Sequence, residues 1–140
     1  MILSMGGYVE EQLISVKNKK ILIVDDDTDM CMTLKNIFEM KNYEADIAEN
    51  VDKAIALAER KTYDIFLVDF VMEKMNGIDL LGKLRQYSPG AVHSIMSAYI
   101  KDDRFDKETS ENSENRVKIF AKPFDIDQMV EFFNQSTGQV

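Results

Sequence analysis

Residues 64–77 read DIFLVDFVMEKMNG. Ile65 to Val68 form a continuous apolar run, too short for a buried helix and made of residues that favour strands. Asp69 stands where the run ends. Asn76-Gly77 signals a turn, and a helical pattern follows it. A carboxylate at the carboxyl end of a buried strand is costly unless it is solvated, paired or metal-bound. In open α/β sheets that end is also where ligands bind. Taken alone, the stretch fits a strand-capping Asp in a loop equally well.

The same pattern recurs upstream. Lys19 and Lys20 lead into Ile21-Leu22-Ile23-Val24, a short apolar strand, and Asp25-Asp26-Asp27 follows at once. Asp27 or Thr28 suits a helix N-cap. Met30, Leu34, Ile37 and Phe38 recur at helical spacing, predicting a helix to about Lys41. Asn42-Tyr43 marks a turn, and Tyr43 to Ala48 reads as an edge-like strand with Glu44, Asp46 and Glu49 toward water. Asn50 caps a helix whose apolar face is Val51, Ala54, Ile55 and Ala58. Beyond Gly77, Leu80, Leu81 and Leu84 define another helix, ended by Ser88-Pro89-Gly90.

Ala91 to Met96 is a fourth strand with Ser97 at its end. Ile100 to Arg116 holds six acids and four bases but only Ile100 and Phe105 as large apolar residues. That composition predicts a short helix and a long polar loop, most simply a solvated surface. Val117 to Ala121 is the fifth strand, followed by Lys122-Pro123-Phe124. Asp125, with Gln128 three residues on, resembles a capping box for a last helix buried through Ile126, Met129, Val130 and Phe133. Residues 1–18 precede the first strand; Tyr8, Leu13 and Val16 fit one side of a short helix.

Five β-α repeats predict an α/β doubly wound (βα)5 fold, a parallel sheet with helices on both faces. The second strand is the most polar, which suits an edge and the order 2-1-3-4-5. Folding as one domain is the expectation for 140 residues, of which 45% are hydrophobic. A formal net charge of -8, from 25 acids against 17 bases, argues against nucleic acid as a direct partner. It suits a cation site or plain solubility. Cys31 is the only cysteine, so no internal disulfide forms, and its place in a helical pattern predicts a buried thiol. No apolar run approaches membrane-spanning length, and MILSMGGYVEEQL lacks the features of a signal peptide. A cytoplasmic protein without a membrane partner is expected.

In such a sheet every strand's carboxyl end points to one rim. Asp25, Asp26 and Asp27 follow strand one, Asp69 follows strand three, Ser97 strand four and Lys122 strand five. Clustered carboxylates repel unless a cation neutralises them, which predicts a hard divalent ion such as Mg2+. A lysine and a hydroxyl beside such an ion suit a phosphoryl group, and an aspartate can itself be the nucleophile that receives it. Asp27 is more simply a helix cap than a further ligand. His93, within a strand, is expected to be structural, and Met72 and Met75 to pack under the site loop.

Four segments, ILIVDDD, FLVDFVMEKMNG, IMSAY and AKPF, resemble in order and spacing the signatures of response-regulator receiver domains, the phosphoacceptor modules of two-component signalling. The resemblance covers about residues 19–136, with 1–18 as an N-terminal extension and 137–140 as a tail. It implies the flavodoxin-like sheet and Mg2+-dependent transfer of a phosphoryl group from a sensor histidine kinase or phosphotransfer protein. Asp69 is then the phosphoacceptor. Asp26 would bind Mg2+ directly and Asp25 through water, with Asp69 and the Val71 backbone carbonyl as further ligands. Ser97 would bond a phosphoryl oxygen, and Lys122 would pair with the phosphoryl group. The Lys122-Pro123 bond is expected to be cis. Modification would switch a surface that binds an unidentified downstream protein, so the chain would be a signalling domain rather than a multiple-turnover enzyme.

Several positions depart from the family pattern. Glu73 replaces the usual proline, and Asn76 stands where Asp is common. Ile119 occupies the place of the switch aromatic, so the hydroxyl-aromatic coupling is expected to be altered. Val71 and Tyr99, two residues beyond Asp69 and Ser97, offer nothing to orient a hydrolytic water, which predicts slow self-dephosphorylation. Two other functions compete. Asp25-Asp26-Asp27-Thr28 also fits the Asp-x-Asp-x-Thr pattern of haloacid-dehalogenase-like phosphatases with Asp25 as nucleophile, but that leaves Asp69 without a role. The other is a pseudo-receiver that binds without being phosphorylated.

Overall fold

A computed structural model describes residues 18–98 and 117–139. The elements are β1 (Lys20–Val24), α1 (Thr28–Met40), β2 (Glu44–Ala48), α2 (Val51–Arg60), β3 (Ile65–Asp69), α3 (Gly77–Leu84), β4 (Val92–Ser97), β5 (Val117–Ala121) and α4 (Ile126–Thr137). All strand pairs are parallel, in the order β2-β1-β3-β4-β5. This is the doubly wound, flavodoxin-like sheet expected from the sequence. The expectations for Tyr8, Leu13 and Val16, for Tyr99 and for the charged stretch 101–116 lie outside the described residues.

Alternate residues of each central strand feed opposite faces. Ile21, Ile23, Ile65 and Leu67 pack with Cys31, Leu34 and Phe38 of α1 and Met129, Val130 and Phe133 of α4. Leu22, Val24, Phe66 and Val68 pack with Val51, Ala54 and Ala58 of α2 and Leu80, Leu81 and Leu84 of α3. Both faces of the sheet are therefore covered, which is why β1 and β3 read as unbroken apolar runs. Cys31 takes the inward place on α1, and Met30 is only partly buried. The helix starts are fixed by side chains that accept from backbone N–H groups. Asp27, Asn50, Asn76 and Asp125 accept from Met30, Lys53, Asp79 and Gln128 respectively.

Two features differ from expectation. Helix α3 ends at Leu84 rather than at Ser88-Pro89-Gly90. Ser88 is buried, and its hydroxyl accepts from the Tyr63 N–H at 2.9 Å. A turn carries the chain on from Leu84, and the Ser88 N–H still bonds the Leu84 carbonyl at 3.3 Å. Asp46 is not simply turned to water: it accepts from Tyr63 Oη at 2.7 Å and Lys61 Nζ at 2.9 Å. These bonds pin the edge strand β2 and hold the Asp46 carboxyl below its ordinary range despite partial burial.

A third tie lies at the amino edge of the sheet. Gly138 ends α4 in the left-handed conformation, φ 77°, as a helix C-terminus favours. Gln139 then accepts from the Lys19 N–H at 3.0 Å and donates to the Asn42 carbonyl at 3.0 Å. Tyr43 adds a hydroxyl bond to Asn134 at 2.6 Å.

Candidate functional site

Four strand ends build the site. Val24 and Val68 are paired in register and fully buried, so the next residue of each strand, Asp25 and Asp69, emerges at the same rim. Asp25 is 1% exposed and Asp69 8%, while Asp26 is exposed. One carboxylate oxygen from each of Asp25, Asp26 and Asp69 lies within 4.8 Å of the others. Asp27 is not part of this cluster, because its side chain caps α1.

Strand β5 delivers the counter-charge. The Lys122 N–H donates to the Ser97 carbonyl at 2.9 Å, extending the β4–β5 pairing one step past the strands. Lys122 Nζ reaches Asp25 Oδ2 and Asp69 Oδ1, each at 3.0 Å. The Lys122-Pro123 bond is cis. Ser97 is buried at the end of β4, one position beyond Met96, which pairs with Asp69. The separated residues Asp25, Asp26, Asp69, Ser97 and Lys122 thus share one rim.

The electrostatics follow from burial. Burial is the main cause that raises the Asp69 carboxyl above its ordinary range; the Lys122 bond works against it, and the Asp25 charge adds to it. Asp25 is likewise raised, mainly by burial, against the backbone N–H of Asp27 and Lys122. Burial alone would depress the Lys122 ammonium, but its bonds to Asp25 and Asp69 outweigh that and raise it. One ammonium therefore serves two buried carboxylates, and the rim holds more negative charge than it neutralises. The donor set is all hard oxygen, from a strand end and two adjacent loop residues, which fits Mg2+ with most of its waters retained.

The loop from Phe70 to Asn76 covers one side. Its ends are closed by Phe70 N–H to the Met96 carbonyl at 2.9 Å and Gly77 N–H to the Phe70 carbonyl at 2.8 Å. A Cβ on Gly77 would stand 2.5 Å from the Asp69 carbonyl oxygen and 2.8 Å from Ile95 Cδ1, so only glycine fits. Met72 and Met75 pack partly buried on the α2–α3 side of the core, as the sequence suggested. Val71 is 53% exposed. Ile119, opposite Ile95 on β5, is partly buried against the same side.

Three residues, Lys74, Asp52 and Lys53, escaped the sequence reading. Lys74 has positive φ, 75°, and its ammonium bonds Asp52 of α2 at 2.6 Å. Thr28 and Lys53 line a cleft beside Asp25 and Cys31. No periodicity or motif marks an exposed Lys–Asp pair 22 residues apart. Cys31 is buried as expected; burial first, then the Asp25 and Asp27 charges, push its thiol up to about 12, so it is a core residue rather than a nucleophile. His93 is also buried, its ring against Phe66.

Comparison with known proteins agrees with this geometry. The sequence model described as the response regulator receiver domain matches residues 21–134. A response regulator receiver protein from Anaeromyxobacter sp. is 31% identical over 113 residues, covering 81% of this chain and 46% of that protein. The chain thus spans about half of that relative's length. Sporulation initiation phosphotransferase F of Bacillus subtilis is 30% identical over 112 residues, 80% of this chain and 88% of that protein. Among solved structures, a Francisella response regulator receiver domain superposes with a TM-score of 0.74 at 26% identity, covering 86% of this chain and 98% of that one.

Proposed function

Because the chain belongs to the response-regulator receiver family, we propose that it accepts a phosphoryl group on Asp69 in a Mg2+-dependent reaction. The donor is a sensor histidine kinase or phosphotransfer protein, and the modified domain switches its binding to a downstream protein. The observation that carries this reading is Lys122 Nζ at 3.0 Å from both Asp25 and Asp69, with Asp26 completing a cluster within 4.8 Å.

Asp25, Asp26, Asp69 and the Val71 carbonyl are the proposed holders of Mg2+, Asp25 through water. When bound, Mg2+ supplies the positive charge that lets carboxylates and phosphoryl oxygens share one site. The protein's own groups do the rest. The Asp69 carboxylate attacks phosphorus, forming an O–P bond. The bond from phosphorus to the donor nitrogen breaks, and its electron pair leaves with the donor imidazole, which takes up a proton. Lys122, already held against Asp69, pairs with the charge that arrives there. Ser97, buried on the adjacent strand end, donates its hydroxyl to a phosphoryl oxygen. The proposed receiver unit is 19–136, flanked by 1–18 and 137–140.

Among the described residues, no helix is long and apolar enough to cross a membrane. Cytoplasmic residence is part of the proposal.

The test uses a small acyl-phosphate donor with MgCl2, read by intact mass. One added phosphate is expected on the parent, and none on Asp69→Ala or on the parent in EDTA. Equal labelling of Asp69→Ala would move the acceptor elsewhere, and sustained turnover of a small phosphate ester would favour a phosphatase instead.

A further inference from the structure

Loop residues 71–75 carry the Val71 carbonyl, so their position matters to any cation held there. A proline at residue 73 would restrain this loop through its fixed φ, but the residue is Glu73. Met72 and Met75 anchor it only by partial burial. Among the described residues, one polar side-chain bond ties 71–75 to another element: Lys74 Nζ to Asp52 Oδ2 at 2.6 Å. The Asp52 end is fixed, since it lies in the first turn of α2, where an acid is favoured by the helix dipole. The Lys74 end is strained, at φ 75°, a conformation uncommon for a side-chain-bearing residue and held only when its surroundings determine it.

We propose that Lys74 and Asp52 are positioning residues whose ion pair fixes the 71–75 loop and the backbone oxygen it offers to the divalent cation. The inference rests on the metal reading given under Proposed function. Both side chains are well exposed, 62% and 71%, so the pair holds the loop weakly and loosens with salt.

Charge alone and positioning predict opposite signs for one variant. Removing the Lys74 cation near an acidic rim would, by charge alone, tighten Mg2+ binding. Positioning predicts that Lys74→Ala weakens it, as Asp52→Asn does, each by about two- to fivefold, the range an exposed ion pair supports. Lys74→Arg restores parent affinity, and Lys74→Ala combined with Asp52→Asn is no worse than either alone.

The measurement is calorimetric titration of metal-free protein with MgCl2 at low ionic strength. It is paired with amide hydrogen exchange in EDTA. Exchange at 71–75 should quicken in both single variants while the strands are unchanged. If the parent takes up no Mg2+, the metal reading and this inference fail together. If the parent binds but Lys74→Ala binds as well or better, or exchange at 71–75 is unmoved, this inference alone is overturned.

Discussion

Replacing the acceptor by its neutral isostere should make the metal-free protein more stable. Asp25 and Asp69 present oxygens no more than 4.8 Å apart. At an effective dielectric of about 20, that repulsion costs at least about 3.5 kcal/mol. Lys122, 3.0 Å from Asp69, returns about 5.5 kcal/mol by the same estimate. Several kcal/mol of desolvation for a carboxylate 8% exposed exceed the difference. Asp69→Asn removes the charge and keeps an acceptor for the ammonium, so a gain of about 1–2 kcal/mol is expected. For a chain of this length that is about 3–7 °C in Tm. The sign with pH follows from the raised Asp69 carboxyl. The folded state holds that proton more readily than the unfolded chain, whose value is near 3.8. Stability from Asp69 is thus fully present below that value and is lost as pH climbs through the raised folded one. The advantage of Asn should be largest near pH 8 and vanish toward pH 4. Melting curves of both proteins in EDTA across this range provide the assay. MgCl2 should stabilise the parent, by about 2.7 kcal/mol at one hundred times Kd, and the variant less. A variant less stable than the parent in EDTA at pH 8, or a gap that does not narrow on acidification, would refute the electrostatic account.

Three further outcomes are expected. His93 is buried with Nε2 unbonded, and burial, then the Arg85 charge, lower it to about 4. Its folded value lies below the unfolded 6.5, so stability falls as pH drops from about 6.5 to 4, by roughly 3 kcal/mol in full; His93→Leu should flatten that slope in acid melts, and an unchanged slope would dismiss it. Gly77→Ala forces a Cβ against the Asp69 carbonyl and should cost about 1–3 kcal/mol with slowed phosphorylation, read by denaturant titration and intact mass; parent-like behaviour in both would show that the strand end yields freely. Val71, half exposed and purely alkyl, cannot orient water beside Asp69, so the phosphorylated form should persist on the order of minutes or longer; Val71→Asn should shorten it, and loss within seconds in the parent would contradict the premise.

Asp25 and Asp69 could be found in the sequence because each follows an apolar run whose length and composition allow only a buried strand. The pattern of acid after strand one, acid after strand three and lysine after strand five needs only the sheet order to become a place. Three helix starts were equally legible, since Asp27, Asn50 and Asp125 act through bonds three residues away; Asn76 reads as a turn, and its cap bond to Asp79 appears only in the structure. What could not be read depended on contacts distant in sequence. Ser88 finds its side-chain partner at Tyr63, 25 residues upstream. Asp46 has its partners on another segment. Met30, expected on the apolar face of α1, is only partly buried, because the phase of α1 is set by the sheet beneath it. Lys74 and Asp52 are polar residues in polar surroundings, and nothing short of coordinates joins them.

The Gln139 clasp gives the domain a handle. By gripping Lys19 and Asn42 at the amino edge of the strands, it brings the entering and departing chain side by side, at the far edge from Asp25 and Asp69. A domain hung from one corner in this way can be spliced into a loop of an unrelated carrier, both junctions spanned by short linkers, and still turn its acidic mouth to a visitor.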